Sequence, residues 1–351
     1  MKNHKSNYHR GVPYTYCIQF LDHVCTVTTH IDLLREWTPL LTPFFTIVKR
    51  ESEAHINFSV EENPNTVTHL LQNQGSAPSI QLHCEATGRI VAQAPGRTTI
   101  VSPELQTVYA VETLKDQYSI EYMCKKFSTA IKLDLLRLVR GTLVGLTSEM
   151  RKVHMSVAAK EDGIAFVGGK NAGKTSFMLA FLKQVEGSAF LANDKTLLSV
   201  NNDTLTVWGL PYAVSIGFGA LQCCDEIPVN EKTRIINDKA YFWPEELAEH
   251  FGRAVIPSSS LSAVVQVHID PAVSTLTLRE VPPQKRKKIV QEEITTFSDR
   301  VDPHWLLNLL EMTPAHNDRV TDLLVQKKWY TLYGNPWNGT LKSFLKAHHL
   351  I

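Results

Sequence analysis

The chain has 351 residues, enough for one large core or two modest ones, and its 43% hydrophobic and 20% charged content is that of an ordinary globular protein. A net charge of +1 supplies no global field to attract nucleic acid or acidic membranes, and no apolar run approaches the length of a membrane span, so neither is expected as a partner. Met1-Lys2-Asn3-His4-Lys5 leads into no hydrophobic signal core, and Cys17, Cys25, Cys84, Cys124, Cys223 and Cys224 are scattered without metal spacing. Reduced thiols in the cytoplasm are the expected setting.

Residues 1–14 are polar and read as a loose tail. Residues 15–120 read as a strand-rich module. Val24–Thr28, His55–Val60, Ser79–Cys84, Thr98–Val101 and Gln106–Val111 alternate apolar and polar residues. Turn residues separate them at Glu62-Asn63-Pro64-Asn65 and Ala94-Pro95-Gly96, and one helix near Ile31–Leu41 interrupts the series. The core is set at residues 121–282. It opens with a helix over Met123–Leu146, whose apolar face includes Ile131, Leu135 and Leu138, and the strand Val153–Val157 follows. Strands then dominate, with one clear helix at Pro244–Phe251. Residues 283–351 read as mostly helical, over Pro283–Ile294, Pro303–Leu310, Ala315–Gln326 and near Leu341. The basic run Lys285-Arg286-Lys287-Lys288 precedes Gln291-Glu292-Glu293 and is read as a solvated helix face rather than a nucleic-acid patch.

The segment Gly168-Gly169-Lys170-Asn171-Ala172-Gly173-Lys174-Thr175 matches G-x-x-x-x-G-K-[ST], the Walker A phosphate-binding loop. Glycines let the backbone wrap a polyphosphate where side chains would collide. The turning N–H groups make an anion nest, and the helix beginning at Ser176 points its positive end at it. The apolar run Gly163–Val167 before the loop supplies the strand that the motif requires. Lys174 would reach the β- and γ-phosphates, and the Thr175 hydroxyl would ligate Mg²⁺. ATP and Mg²⁺ are therefore the expected cofactors.

A phosphate loop needs an acid nearby, to hold the metal or to deprotonate an acceptor. Ser188–Ala192 is a strand of small and apolar residues ending in Asn193-Asp194, and one helix plus a return strand would bring Asp194 back beside the loop. Asp225-Glu226 is the second candidate, weakened by Gln222 within its apolar run and Ile227-Pro228 directly after it. His154, at the start of the strand before Gly163, is the third element, although a lone histidine in an apolar strand is more often structural.

In this order, His154, Gly163, Gly168–Thr175 and Asn193-Asp194 resemble the HPr kinase/phosphorylase family, itself related to the phosphoenolpyruvate carboxykinase core. The likeness lies mainly within residues 150–225, where Gly209–Val214 and Phe218–Leu221 are also similar to wider kinase-like relatives. It implies an α/β fold with α+β character, a P-loop kinase core on a mixed sheet between the strand-rich and helical regions, and a kinase that phosphorylates a serine-like hydroxyl on a small metabolite or a peptide. It assigns Lys174, Asp194 and His154 to catalysis and Thr175 and Asp194 to the metal. It also allows a homo-oligomer. Arg234, Lys239 and Arg253 are the downstream cations that could grip an anionic acceptor. The chain departs from the family pattern at Asn193, where a second acid is usual, and at Lys170-Asn171, where Ser-Gly is usual. The family's N-terminal domain and phosphorolysis segment are not recognisable, so neither the HPr protein as substrate nor a reverse activity is expected. Two other classes stand beside the kinase: a nucleotide-gated switch or mechanical ATPase, and a regulatory module that holds nucleotide without turnover. No guanine-reading Asn-Lys-x-Asp is present.

Overall fold

Alternation of apolar and polar residues between positions 14 and 124 produces a nine-stranded sheet. The computed structural model describes residues 12–49, 54–83, 86–114, 117–147, 149–224, 227–231, 233–294, 303–312 and 318–351. These fall into two units, Met1–Ser148 with Asp299–Thr313, and Glu149–Ser298 with Pro314–Ile351. The whole is mixed α/β, with several sheets and flanking helices.

In the first unit, β1 (Tyr14–Phe20), β2 (His23–Thr29), β3 (Thr46–Lys49), β4 (Ile56–Glu62), β5 (Ser79–His83), β6 (Ala86–Ala94), β7 (Arg97–Ser102), β8 (Thr107–Leu114) and β9 (Gln117–Cys124) lie in the order β3-β1-β2-β4-β9-β8-β7-β6-β5. The expected helix at Met123 begins later, because residues up to Cys124 continue strand β9 in register with β8 and β4. The Ser128 hydroxyl accepts from the Ile131 amide at 3.3 Å and starts the helix Thr129–Leu146 instead. This helix belongs to the first unit, whereas the sequence placed it with the core. The turn expected at Asn63-Pro64 is a helix start: the Asn63 side chain accepts from the Thr66 amide at 3.1 Å, and Pro64 opens Pro64–Gln72.

The long helix buries a carboxylate. Asp134 accepts from the phenols of Tyr109 at 2.9 Å and Tyr122 at 3.0 Å and from Arg137 at 2.6 Å. Burial and then the Asp134 charge push both phenols well above their ordinary pKa, so they stay protonated and keep donating. Two glycines on the same helix admit a close neighbour. A β-carbon on Gly141 would sit 2.3 Å from the Pro303 ring, and one on Gly145 would sit 2.5 Å from the Leu307 tip. A proline ring cannot rotate away, whereas a leucine tip can. Gly141→Ala is therefore expected to destabilise the protein by roughly 1–3 kcal/mol. Gly145→Ala should be near neutral, because helix propensity returns about 1 kcal/mol. Thermal unfolding of the two variants checks the contrast.

The second unit carries β10 (Arg151–Val153), β11 (Ser156–Ala159), β12 (Gly163–Val167), β13 (Ala189–Ala192), β14 (Thr196–Asn201), β15 (Thr204–Gly209), β16 (Val214–Gly217), β17 (Arg234–Ile236), β18 (Lys239–Phe242), β19 (Ala254–Val255), β20 (Ser258–Ile269), β21 (Thr277–Glu280) and β22 (Lys328–Gly334). The main sheet runs β10-β14-β15-β20-β12-β11-β13-β19, with β22 on β20 and β21 on β22, while β16-β18-β17 is separate. The long β20 is its spine: Ser258–Ser260 pair with β15, Leu261–Gln266 with β12 and Ala263–Ile269 with β22. Val157, Ala165, Val167, Leu191, Val264 and Trp329 form the heart of its core. The region expected to be mostly helical contributes β22, whose Trp329 is fully buried. Within the basic run, Arg286 is not solvated: it is buried and donates to the carbonyls of Val281 at 2.9 Å and Lys327 at 3.1 Å. Among the described residues, no helix is long and apolar enough to cross a membrane.

Candidate functional site

Strand β12 is buried throughout, as its apolar run requires, and ends at Val167 where the phosphate loop begins. The loop leads into the helix Lys174–Gln184, which is apolar nearly all round and therefore buried. Phe166 on the strand packs against Phe177 and Phe181 of that helix, with ring centroids 6.4 and 6.1 Å apart. The loop is thus held at both ends by the same aromatic cluster.

Between those ends the backbone turns through positive φ at Gly168 (148°), Asn171 (66°) and Gly173 (100°). A β-carbon on Gly173 would lie 2.7 Å from Ile269 Cβ, and one on Gly168 would lie 2.8 Å from Ala172 Cβ. Gly169 meets nothing within 4 Å and is not in the left-handed region. The two motif glycines are therefore needed and their neighbour is not. Gly169→Ala is expected to keep the folding temperature and nucleotide affinity of the parent. Gly173→Ala should cost about 1–3 kcal/mol and impair nucleotide binding. Thermal shift with and without ATP separates the two.

The Lys174 ammonium lies over the loop, donating to the carbonyls of Gly168 at 2.9 Å and Gly169 at 3.2 Å. The Thr175 hydroxyl donates to Asn193 Oδ1 at 3.0 Å, and the Ser156 hydroxyl donates to the same oxygen at 2.7 Å. Asn193 is buried at the end of β13. Asp194 takes φ 62°, and its carboxylate lies 3.2 Å from His154 Nε2. The expected return of the chain to the loop is thus present, and the two residues at its end divide the work. The neutral one meets Thr175, and the charged one pairs with His154.

Burial would raise the Asp194 carboxyl, but the His154 hydrogen bond and the charges of His154, Lys174 and Lys239 outweigh it and hold the group below its ordinary value. Such a carboxylate contributes stability that is fully present above its unfolded pKa of about 4 and is lost as the pH falls through the lower folded value. Asp194→Asn should therefore be less stable than the parent at neutral pH, with the gap closing below about pH 4. Urea melts across that range check the sign.

Lys174, Thr175, Ser176, His154, Asp194 and Lys239 line one cavity of about 490 Å³, together with Lys170, Asn171 and Gly173 of the loop. Lys239 therefore shares a cavity with the loop, His154 and Asp194. Arg234 and Arg253 do not line it. Arg234 is exposed, and Arg253 donates through Nε to the Leu182 carbonyl at 2.9 Å, closing the end of the loop's helix. Asp225-Glu226 lies outside the described residues. Sequence reasoning did not find the partnership of Ser156 with Asn193. It also did not find the cavity walls at Ser215, Cys223 and Trp337, which no motif marks.

Among the described residues, no group of three or more His, Cys, Asp or Glu is placed to hold a metal. Mg²⁺ is usually held by one or two protein oxygens plus phosphate and water, and the Thr175 hydroxyl and the Asp194 carboxylate are oxygen donors of that kind on the same cavity. The residues present therefore fit a nucleotide-bound Mg²⁺.

No protein-family model matches the chain, and no curated protein matches it significantly. Among the solved structures that match is the Hpr(Ser) kinase/phosphatase from Coxiella burnetii, with 11% identity, 57% of this chain and 97% of that chain covered, and a TM-score of 0.29. This is a weak structural resemblance to a kinase.

Proposed function

We propose that the protein transfers the γ-phosphoryl group of ATP to a serine-like hydroxyl on a small metabolite or a peptide, in the cytoplasm. One observation carries the reading: the reactive end of the phosphate loop and the His154–Asp194 pair open on a single cavity.

The loop amides and the Lys174 ammonium neutralise the β- and γ-phosphates. Thr175 and Asp194 would hold Mg²⁺, which would supply further charge neutralisation. The acceptor oxygen bonds to the γ-phosphorus as the bond from that phosphorus to the β,γ-bridging oxygen breaks, and ADP leaves with the electron pair. The hydroxyl proton passes to Asp194 or to water. A carboxylate held below its usual pKa is a weak base, so Asp194 acts chiefly by orienting the hydroxyl, and His154 fixes the carboxylate in turn. The Lys239 ammonium lines the same cavity and supports an anionic acceptor.

The test is ADP release in the presence of hydroxy amino acids and serine-ended peptides, with a mass-shift screen for the phosphorylated product. Lys174→Ala should abolish nucleotide binding. Asp194→Asn should lower acceptor-dependent kcat by about 10²-fold or more while ATP affinity changes little. Acceptor-independent turnover, or a preference for GTP, would sink the kinase reading in favour of a switch or mechanical ATPase. A second reading, a nucleotide-holding regulatory module, is favoured by the neutral Asn193 at the Thr175 hydroxyl. ATP binding without turnover for any acceptor would establish it.

A further inference from the structure

Strands β12, β20 and β22 are parallel neighbours, with Val167 opposite Gln266 and Ile269 opposite Gly334. Their carboxyl ends therefore open on one side of the sheet, where ligands of open α/β sheets bind. The first end carries the phosphate loop, the second Ile269–Pro271 and the third Asn335–Trp337. All three contribute to the 490 Å³ cavity.

The second and third ends are tied to each other and to the loop. The Ile269 amide donates to the Ala172 carbonyl at 2.9 Å, and the Asp270 amide donates to the Gly334 carbonyl at 3.2 Å. Asn335 donates through its side chain to the Pro271 carbonyl at 3.4 Å and accepts from the Trp337 amide at 3.0 Å. Gln184, at the end of the loop's own helix, donates to the Pro336 carbonyl at 2.7 Å, and Asn338 donates to the Ser274 carbonyl. Trp337 thus sits on a stiff, hydrogen-bonded mount rather than on a free loop.

The ring itself is half-buried. Its indole N–H is buried and has no hydrogen-bond partner, so the surface it gives to the cavity is carbon. Ile269 and Pro271 add further apolar lining to the same cavity. Ser215 and Lys239 of the three-stranded sheet join His154 and Asp194 as polar residues of the same cavity away from the loop. A nucleotide has one flat apolar part, its base, and Trp337 is an aromatic side chain lining the cavity that also contains the phosphate loop.

We infer that Trp337 is the stacking platform for the nucleobase of the nucleoside triphosphate; this rests on the phosphate-loop reading above. A carbon face stacks on any base and reads no hydrogen-bonding edge. The platform therefore favours a purine without choosing between adenine and guanine, and any choice lies with other groups.

The experiment is calorimetric titration of the full chain, as parent, Trp337→Ala and Trp337→Phe, with ATP, GTP and inorganic tripolyphosphate in the presence of Mg²⁺. Tripolyphosphate has the phosphates and no base, so its binding also reports that the loop is folded. Trp337→Ala is expected to weaken both nucleotides by about tenfold or more, the range of a base–aromatic stack. Tripolyphosphate affinity should not change, and Trp337→Phe should stay close to the parent. Unchanged ATP affinity in Trp337→Ala, or a parallel loss for tripolyphosphate, overturns the platform while parental binding leaves the phosphate loop standing. A parent that binds neither ATP nor tripolyphosphate removes the phosphate-loop reading and the platform with it.

Discussion

The cavity depends on the meeting of Ile269 with the phosphate loop. The Ile269 amide holds the Ala172 carbonyl, and its side chain occupies the space that any β-carbon on Gly173 would need. That position is set by the whole length of β20, whose pairing with three other strands fixes its register. A slip of one residue would turn the buried Val265 and Val267 to the other face and carry Ile269 off the loop. The left-handed turn at Gly173 is therefore not a local property of eight residues. It is the end point of a sheet.

The same economy explains the pair at the end of β13. A carboxylate at position 193 would be buried between two hydroxyls, and burial of a charge is costly. An amide oxygen accepts from Thr175 and Ser156 without that penalty. The charge is carried instead by Asp194, where the left-handed backbone turns the side chain toward His154 and the field of Lys174 and Lys239 stabilises it. Asn193, which breaks the acid-pair pattern in the sequence, is thus a satisfied buried residue in the structure.

What could be read from the sequence was what short-range chemistry dictates. The strand before the loop and the helix after it lie where the motif places them, and Gly168 and Gly173 take the positive φ that glycine permits. The strands of the first unit also announced themselves by alternation. Failures came where one signal served two structures. Asn63-Pro64 suits a turn and a helix start equally, and only the Thr66 amide decides between them. The run through Met123 is apolar enough for a helix, but its partners in β8 and β4 make it a strand. Arg286 looked like one of four solvated cations, yet three backbone carbonyls surround its guanidinium. Trp337 carried no signal, because its place depends on strands β20 and β22 lying side by side.

The chain visits its first unit twice, over Met1–Ser148 and again over Asp299–Thr313, where Pro303 and Leu307 fill the shallow surface left by Gly141 and Gly145. On the ribosome, the helix that bears those glycines emerges about 150 residues before the segment that covers it. During that interval the chain must make nearly all of the second unit's sheet while its first unit still shows an uncovered groove. No single cut releases either unit with its full complement of residues. Completion of each is thereby linked to synthesis of the other, through the order of the chain alone.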